Sequence, residues 1–292
     1  MTGRMRISRR SFLVGGAAAA LGGGGWAFND SHPTVLPRLL GACRGLGAPS
    51  AGSVVTRGVL ASRAMKGDVG YAIATPPGHS GPMPVVVALH ARGGSADAVM
   101  SMGFAEFVAD AVTRGQVAPF AVAAVDGGES TYWHRRASGL DPMTMVLDEF
   151  VPFLRRKGLG GSRTSTAVIG WSMGGYGALL AGETAPEVFC SVVAASPAFW
   201  WTYADAHSAH PETFDGEEDW KAHDVAGHAG MLRNTPVRFD CGDKDPFRGV
   251  VTRLQPLLAS AVGGISGGCH DDGFWRAVAP EQVRFLAQHF QA

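Results

Sequence analysis

The sequence predicts a doubly wound α/β fold with a mostly parallel sheet. Two observations carry that prediction. From Ser53 onward, short continuous apolar runs alternate with segments of helical periodicity. One of those runs passes through a glycine-flanked serine directly into a good helix. The chain has 292 residues, which suits one α/β domain with an N-terminal extension.

The central strands read as runs without alternation. Pro84 to Leu89 (PVVVAL), Phe120 to Val125 (FAVAAV) and Thr166 to Gly170 suit strands buried on both faces of a parallel sheet. Ser191 to Ala195 and Val237 to Cys241 continue the series. Val54-Val55 and Val69 to Ala74 are early strands, the second ended by Pro76-Pro77-Gly78. Between them, Phe104 to Thr113 has helical spacing. Met145 to Arg156 reads as an amphipathic helix with a kink at Pro152. Residues 198–235 break the rhythm. A connection this long, rich in aromatics, His and acids, predicts a functional, lid-like insert.

The N-terminus stands apart. Residues 1–29 carry Arg4, Arg6, Arg9 and Arg10 and no acid, followed by a weakly apolar stretch dominated by Gly and Ala. Ser8-Arg9-Arg10-Ser11-Phe12-Leu13 resembles a bacterial twin-arginine export signal. The expected location is therefore extracellular or at the cell envelope, with membrane association through this segment. Residues 30–52 are a connector and residues 53–292 the domain. The formal net charge is zero, so nothing points to nucleic acid. Four cysteines (Cys43, Cys190, Cys241 and Cys269) are too few for a disulfide framework. Cys241 and Cys269 each precede a candidate catalytic loop. They are expected to be neighbours that could bridge after export, or simply two small buried side chains.

Gly170-Trp171-Ser172-Met173-Gly174 matches G-x-S-x-G, between the strand TAVIG and the helix GYGALLAGE. That context is a nucleophile elbow, and it narrows the prediction to an α/β-hydrolase fold with Ser172 as nucleophile. In chain order an acid and then a His should follow. The strand VRFDC ends in Gly242-Asp243-Lys244-Asp245-Pro246. Asp245 is favoured as the acid, because Gly242 starts the turn and Pro246 stiffens it; Asp243 stays open. His270, in Gly267-Gly268-Cys269-His270-Asp271-Asp272 before the last helix, is the expected base. His207 and His210, at i and i+3, could ligate metal, but insert histidines are more often simply exposed; no metal is assigned. The oxyanion donors should be the Met173 N–H and a backbone N–H from the loop Leu89 to Gly94. Trp133, Trp171, Phe199 and Trp200 are predicted to line an apolar substrate pocket.

With these stretches placed, the chain resembles the esterase family that includes esterase D and the S-formylglutathione hydrolases. It is also similar to the secreted mycolyltransferases. The carrying segments are LHARGG at 89–94, GWSMGGYGAL at 170–179, CGDKDPF at 241–247 and GGCHDDGFW at 267–275. The resemblance implies carboxylic-ester chemistry without cofactor or metal, on a small-molecule or lipid ester. It also implies the Arg92 N–H as second oxyanion donor. Two other readings stand beside an exported carboxylesterase: an acyltransferase, and an inactive hydrolase-fold binding module.

Overall fold

The computed structural model describes residues 47–258 and 261–291. Eight strands form one sheet in the order β1-β2-β4-β3-β5-β6-β7-β8. They are β1 (Val54–Ser62), β2 (Gly67–Thr75), β3 (Val85–Leu89), β4 (Ala121–Val125), β5 (Thr166–Trp171), β6 (Val192–Ala195), β7 (Val237–Gly242) and β8 (Val262–Ser266). β1 and β2 pair antiparallel, as do β2 and β4; every pairing from β4 across to β8 is parallel. Helices cover both faces. This is the α/β-hydrolase fold.

The apolar runs are strands because both their faces are covered. All five residues of β3 and of β4 are buried, as are all six of β5. Alternate residues feed two separate core layers. Val85, Val87 and Leu89 join one, with Val168, Ala194 and Phe239; Val86 and Ala88 join the other, with Ile169 and Val193. The second layer is closed by α1 (Ala96–Met102), α2 (Phe104–Thr113) and the long C-terminal helix Asp272–His289.

Two elements differ from the sequence expectation. Met145 to Arg156 is not one kinked α-helix. A π-helical segment, Met145–Phe150, runs into α3 (Val151–Arg156), and Pro152 falls in the first turn of α3. Pro152 has no N–H to donate, so it is tolerated where the ladder changes period. The edge strand β8, Val-Gly-Gly-Ile-Ser, has no apolar alternation and two glycines at positive φ. It exists because β7 offers it a parallel partner.

The insert leaves the carboxyl end of β6 and returns into β7. It holds α5 (Tyr203–Ala209), α6 (Glu217–Ala222) and a 3-10 turn, Ala229–Leu232. Arg136, in the loop after β4, anchors it. Its guanidinium donates to both carboxylate oxygens of Asp215 at 3.0 and 3.1 Å and to the Glu212 carbonyl at 2.8 Å.

The twin-arginine segment and the connector up to residue 46 lie outside the described residues. Cys241 and Cys269 do not bridge each other. Cys241 is a free, buried thiol and Cys269 is disulfide-bonded. The two loops are neighbours nonetheless: a Cβ on Gly242 would lie 3.0 Å from the Cys269 nitrogen. The Cys269 sulfur is already bonded, so Cys241 stays a small buried side chain beside it.

Candidate active site

The site starts at the end of β5, where the next parallel strand and the following helix force a sharp turn. Ser172 occupies φ 55°, ψ −117°, and α4 (Met173–Thr184) begins at the next residue. A non-glycine residue held in such a region stores about 1–3 kcal/mol. Three backbone bonds hold it there. The Ser172 N–H donates to the Ala195 carbonyl at 2.9 Å, and its own carbonyl accepts from Tyr176 and Ala198 at 3.0 Å each. The flanking glycines are required by contact distance. A Cβ on Gly170 would sit 1.9 Å from the Gly174 carbonyl oxygen, and one on Gly174 would sit 1.9 Å from that of Leu89.

His270 meets this serine from the loop before α7. That loop joins β8 to α7, the C-terminal helix Asp272–His289. His270 Nε2 lies 2.9 Å from Ser172 Oγ, and His270 Nδ1 lies 2.8 Å from Asp245 Oδ2. The other carboxylate oxygen, Asp245 Oδ1, accepts the Phe247 N–H at 2.8 Å. All three side chains are buried. Burial pushes the Asp245 carboxyl up. The charge and hydrogen bond of His270, the Phe247 N–H and the Ser196 hydroxyl outweigh it, so the group is held below the usual carboxylate range. Asp243 does a different job. Its Oδ1 accepts the Gly268 N–H at 3.0 Å and so ties down the loop that carries His270.

Sequence reading missed Ser196. It sits just past β6 at φ 48°, its hydroxyl bonds Asp245, and it accepts the Trp275 indole N–H at 3.1 Å. Its sequence signal is slight: a Ser before Pro at the carboxyl end of a buried strand.

Two backbone segments converge on the elbow where oxyanion donors are needed. The Met173 N–H opens α4, so it has no acceptor within its own helix. The start of the loop after β3 packs against the same turn, since a Cβ on Gly174 would also meet the His90 carbonyl oxygen at 2.8 Å. His90 stiffens this loop. Its Nε2 accepts the Gly127 N–H at 3.0 Å, leaving Nδ1–H to donate to the Ala91 carbonyl at 2.8 Å. Burial pulls its pKa down, against the Ala91 bond and Asp126, so the neutral ring that this pattern needs is favoured. Arg92 follows, its guanidinium reaching the insert at Glu212, 2.9 Å away.

The four aromatics expected around a pocket divide unevenly. Trp133 is fully buried and fills space against Gly127 and Gly177, its indole N–H donating to the His90 carbonyl at 3.2 Å. Trp171 packs edge-on to Phe104, ring centres 5.4 Å apart, in the other core layer. Phe199 is buried beside Trp201. Alternation along the strand turns Trp171 away from the nucleophile, and the left-handed backbone at Trp133 (φ 59°) turns that ring inward. These three are packing residues. Trp200 alone is partly exposed. It lies 5.6 Å from the Phe247 ring, which lies 5.4 Å from His270. His207 and His210 face different partners, the Tyr203 hydroxyl and the Trp200 ring, and do not converge.

A buried serine, histidine and carboxylate in one hydrogen-bonded line on this fold define the class: a serine hydrolase of ester substrates. Sequence comparison sharpens this. The family model described as "Putative esterase" matches residues 62–258, and the chain belongs to that family. No curated protein matches the sequence. Solved structures match the fold at low identity. A ferulic acid esterase is 20% identical over 82% of this chain and 99% of its own, with a TM-score of 0.69. An S-formylglutathione hydrolase from Agrobacterium tumefaciens is 18% identical over 83% and 98%, with a TM-score of 0.64. Another from Staphylococcus aureus is 14% identical over 80% and 99%, also at 0.64.

Proposed function

We propose that this protein hydrolyses short-to-medium acyl esters through an acyl-enzyme on Ser172. The observation that carries this reading is the line Ser172–His270–Asp245, with contacts of 2.9 and 2.8 Å. His270 Nε2 takes the Ser172 proton as Oγ attacks the ester carbonyl. The tetrahedral oxyanion is held by the Met173 and Arg92 N–H groups. Its collapse breaks the ester C–O bond, and His270 returns the proton to the leaving alcohol. Water then repeats the sequence, freeing the acid and regenerating the serine. Asp245 orients the ring and stabilises its cationic form. Trp200, with Phe247 behind it, supplies the apolar contact for the acyl group.

Ser172→Ala should abolish p-nitrophenyl ester hydrolysis and fluorophosphonate labelling. Single triad losses typically cost about 10⁴–10⁶ in rate. Turnover at the parental rate would overturn the assignment. The same assay run with added alcohols separates hydrolysis from transfer; acceptors outcompeting water at low millimolar levels would replace this reading with an acyltransferase.

We also propose export by the twin-arginine route. Arg9-Arg10 followed by Phe12-Leu13 supports it, and so does the disulfide at Cys269, since such bonds persist in oxidising compartments. Replacing both arginines by lysine should retain the enzyme in the cytoplasm, as fractionation would show. Unchanged export would overturn the route.

A further inference from the structure

We infer that His134, Asp219 and His223 form a site for a divalent transition metal, zinc by ligand type, that pins the insert to the loop after β4. The site is separate from Ser172 and does not depend on the proposed reaction. Asp219 and His223 stand at i and i+4 across α6 and its end, so they share one helix face. His134 comes up from the loop after β4.

The three potential ligand atoms lie within 4.8 Å of one another. Asp219 Oδ1 is 3.6 Å from His134 Nδ1 and 3.1 Å from His223 Nδ1. Tetrahedral zinc, with bonds of about 2.0–2.2 Å, needs ligand atoms about 3.4 Å apart. The outer contacts fit as well. His134 Nε2 lies 3.1 Å from the Thr213 carbonyl, the partner that a ligating imidazole's other N–H requires. If Nε2 carries the proton, the Nδ1 lone pair is left facing oxygen, with the Arg135 carbonyl at 3.0 Å and the Asp219 carboxylate beyond it. A neutral ring has one proton for two carbonyls. A cation at Nδ1 would pair with the Asp219 carboxylate and the Arg135 carbonyl, while Nε2–H serves the Thr213 carbonyl.

The surrounding charge is favourable. Asp219 brings a negative charge into the cluster, and Arg136, whose charge reaches His134, is bound to Asp215. The two imidazoles stack at 4.4 Å with a 28° tilt. Coordination therefore requires one ring to turn so that the lone pairs converge. His223, at the end of α6 with its side chain 22% exposed, turns by giving up the 2.8 Å contact between its Nδ1 and the Asp219 carbonyl.

The test uses the full chain, stripped with chelator and titrated with Zn²⁺ by calorimetry and thermal melting. The expected result is saturable 1:1 binding, with Tm raised by about 5–10 °C at zinc a hundred times its dissociation constant. Co²⁺ should give the visible absorption of a tetrahedral site. His223→Ala and Asp219→Asn, both at half-buried positions, should abolish binding and the Tm gain, whereas His207→Ala should leave both intact. Absence of saturable binding by the parent protein would overturn the site, as would parental affinity in both His223→Ala and Asp219→Asn.

Discussion

Asp243 and Asp245 stand two residues apart in one turn, yet they have separate tasks. Asp245 reaches His270, while Asp243 reaches a backbone N–H of the loop beneath it. Asp245→Asn should therefore reduce kcat by several orders of magnitude with little change in KM. Asp243→Asn should lose only a neutral-to-charged increment of one hydrogen bond, about 1 kcal/mol of stability. Steady-state kinetics and urea midpoints of the pair check both statements, and the reverse pattern would move the acid role to Asp243. The tryptophans divide in the same way. Trp133→Ala should cost about 3–5 kcal/mol of stability, because it empties a fully buried site. Trp200→Ala, at a partly exposed site, should cost less stability than Trp133→Ala and raise KM for longer acyl chains more than for acetate. A chain-length series treated identically by that variant and the parent would remove Trp200 from the substrate site.

At the scale of elements, α4 shows what its position demands. Every residue from Met173 to Glu183 is buried. A helix enclosed all round leaves no polar face for Glu183, whose two carboxylate oxygens are buried without a hydrogen-bond partner. Burial, with Asp224 nearby, pushes its pKa up to about 9. The folded protein thus holds a proton that the unfolded chain releases near pH 4.5. This contribution is fully present below that pH and is lost as pH rises toward 9, at a slope of at most about 1.4 kcal/mol per pH unit. Glu183→Gln should flatten the decline, so urea midpoints measured at pH 5, 7 and 8.5 should converge in the variant. The insert is held by buried residues on either side of α6, Ala206, Phe214, Val225 and Leu232, which join the core. Helix α6 itself contributes no fully buried residue, and Arg136 ties the stretch before it to the loop after β4. Arg136→Ala should loosen residues 210–223, visible as faster amide exchange there, while the sheet stays protected.

For the whole molecule, the sheet order turns separate sequence segments into one site. Ser172 follows β5, Ser196 follows β6, Asp245 follows β7 and His270 follows β8, and these four strands are consecutive neighbours. Parallel pairing puts all their carboxyl ends on one edge, so four loops meet there. Because each catalytic side chain is held by its own strand, Ser172→Ala should melt within a degree or two of the parent while losing activity. A large fall in Tm would mean that the serine hydroxyl also supports the fold.

Local pattern was enough for the core and the strand–turn–helix elbow at Ser172. Continuous apolar runs mean strands covered on both faces, and G-x-S-x-G between a strand and a helix means a strained turn; both follow from residues adjacent in the chain. Chain order and turn chemistry carried the reading as far as Asp245 and His270 as candidates. Tertiary structure decided the rest. It separated Asp245 from Asp243, brought in Ser196, paired the glycine-rich β8 with β7, and left Cys241 a free thiol. It also turned Trp133 and Trp171 into the core and left Trp200 against Phe247, whose ring neighbours His270. The physical reason is the same in each case. Hydrogen bonding and packing select side chains by direction and distance across the fold, and neither quantity is encoded in residue type or spacing alone.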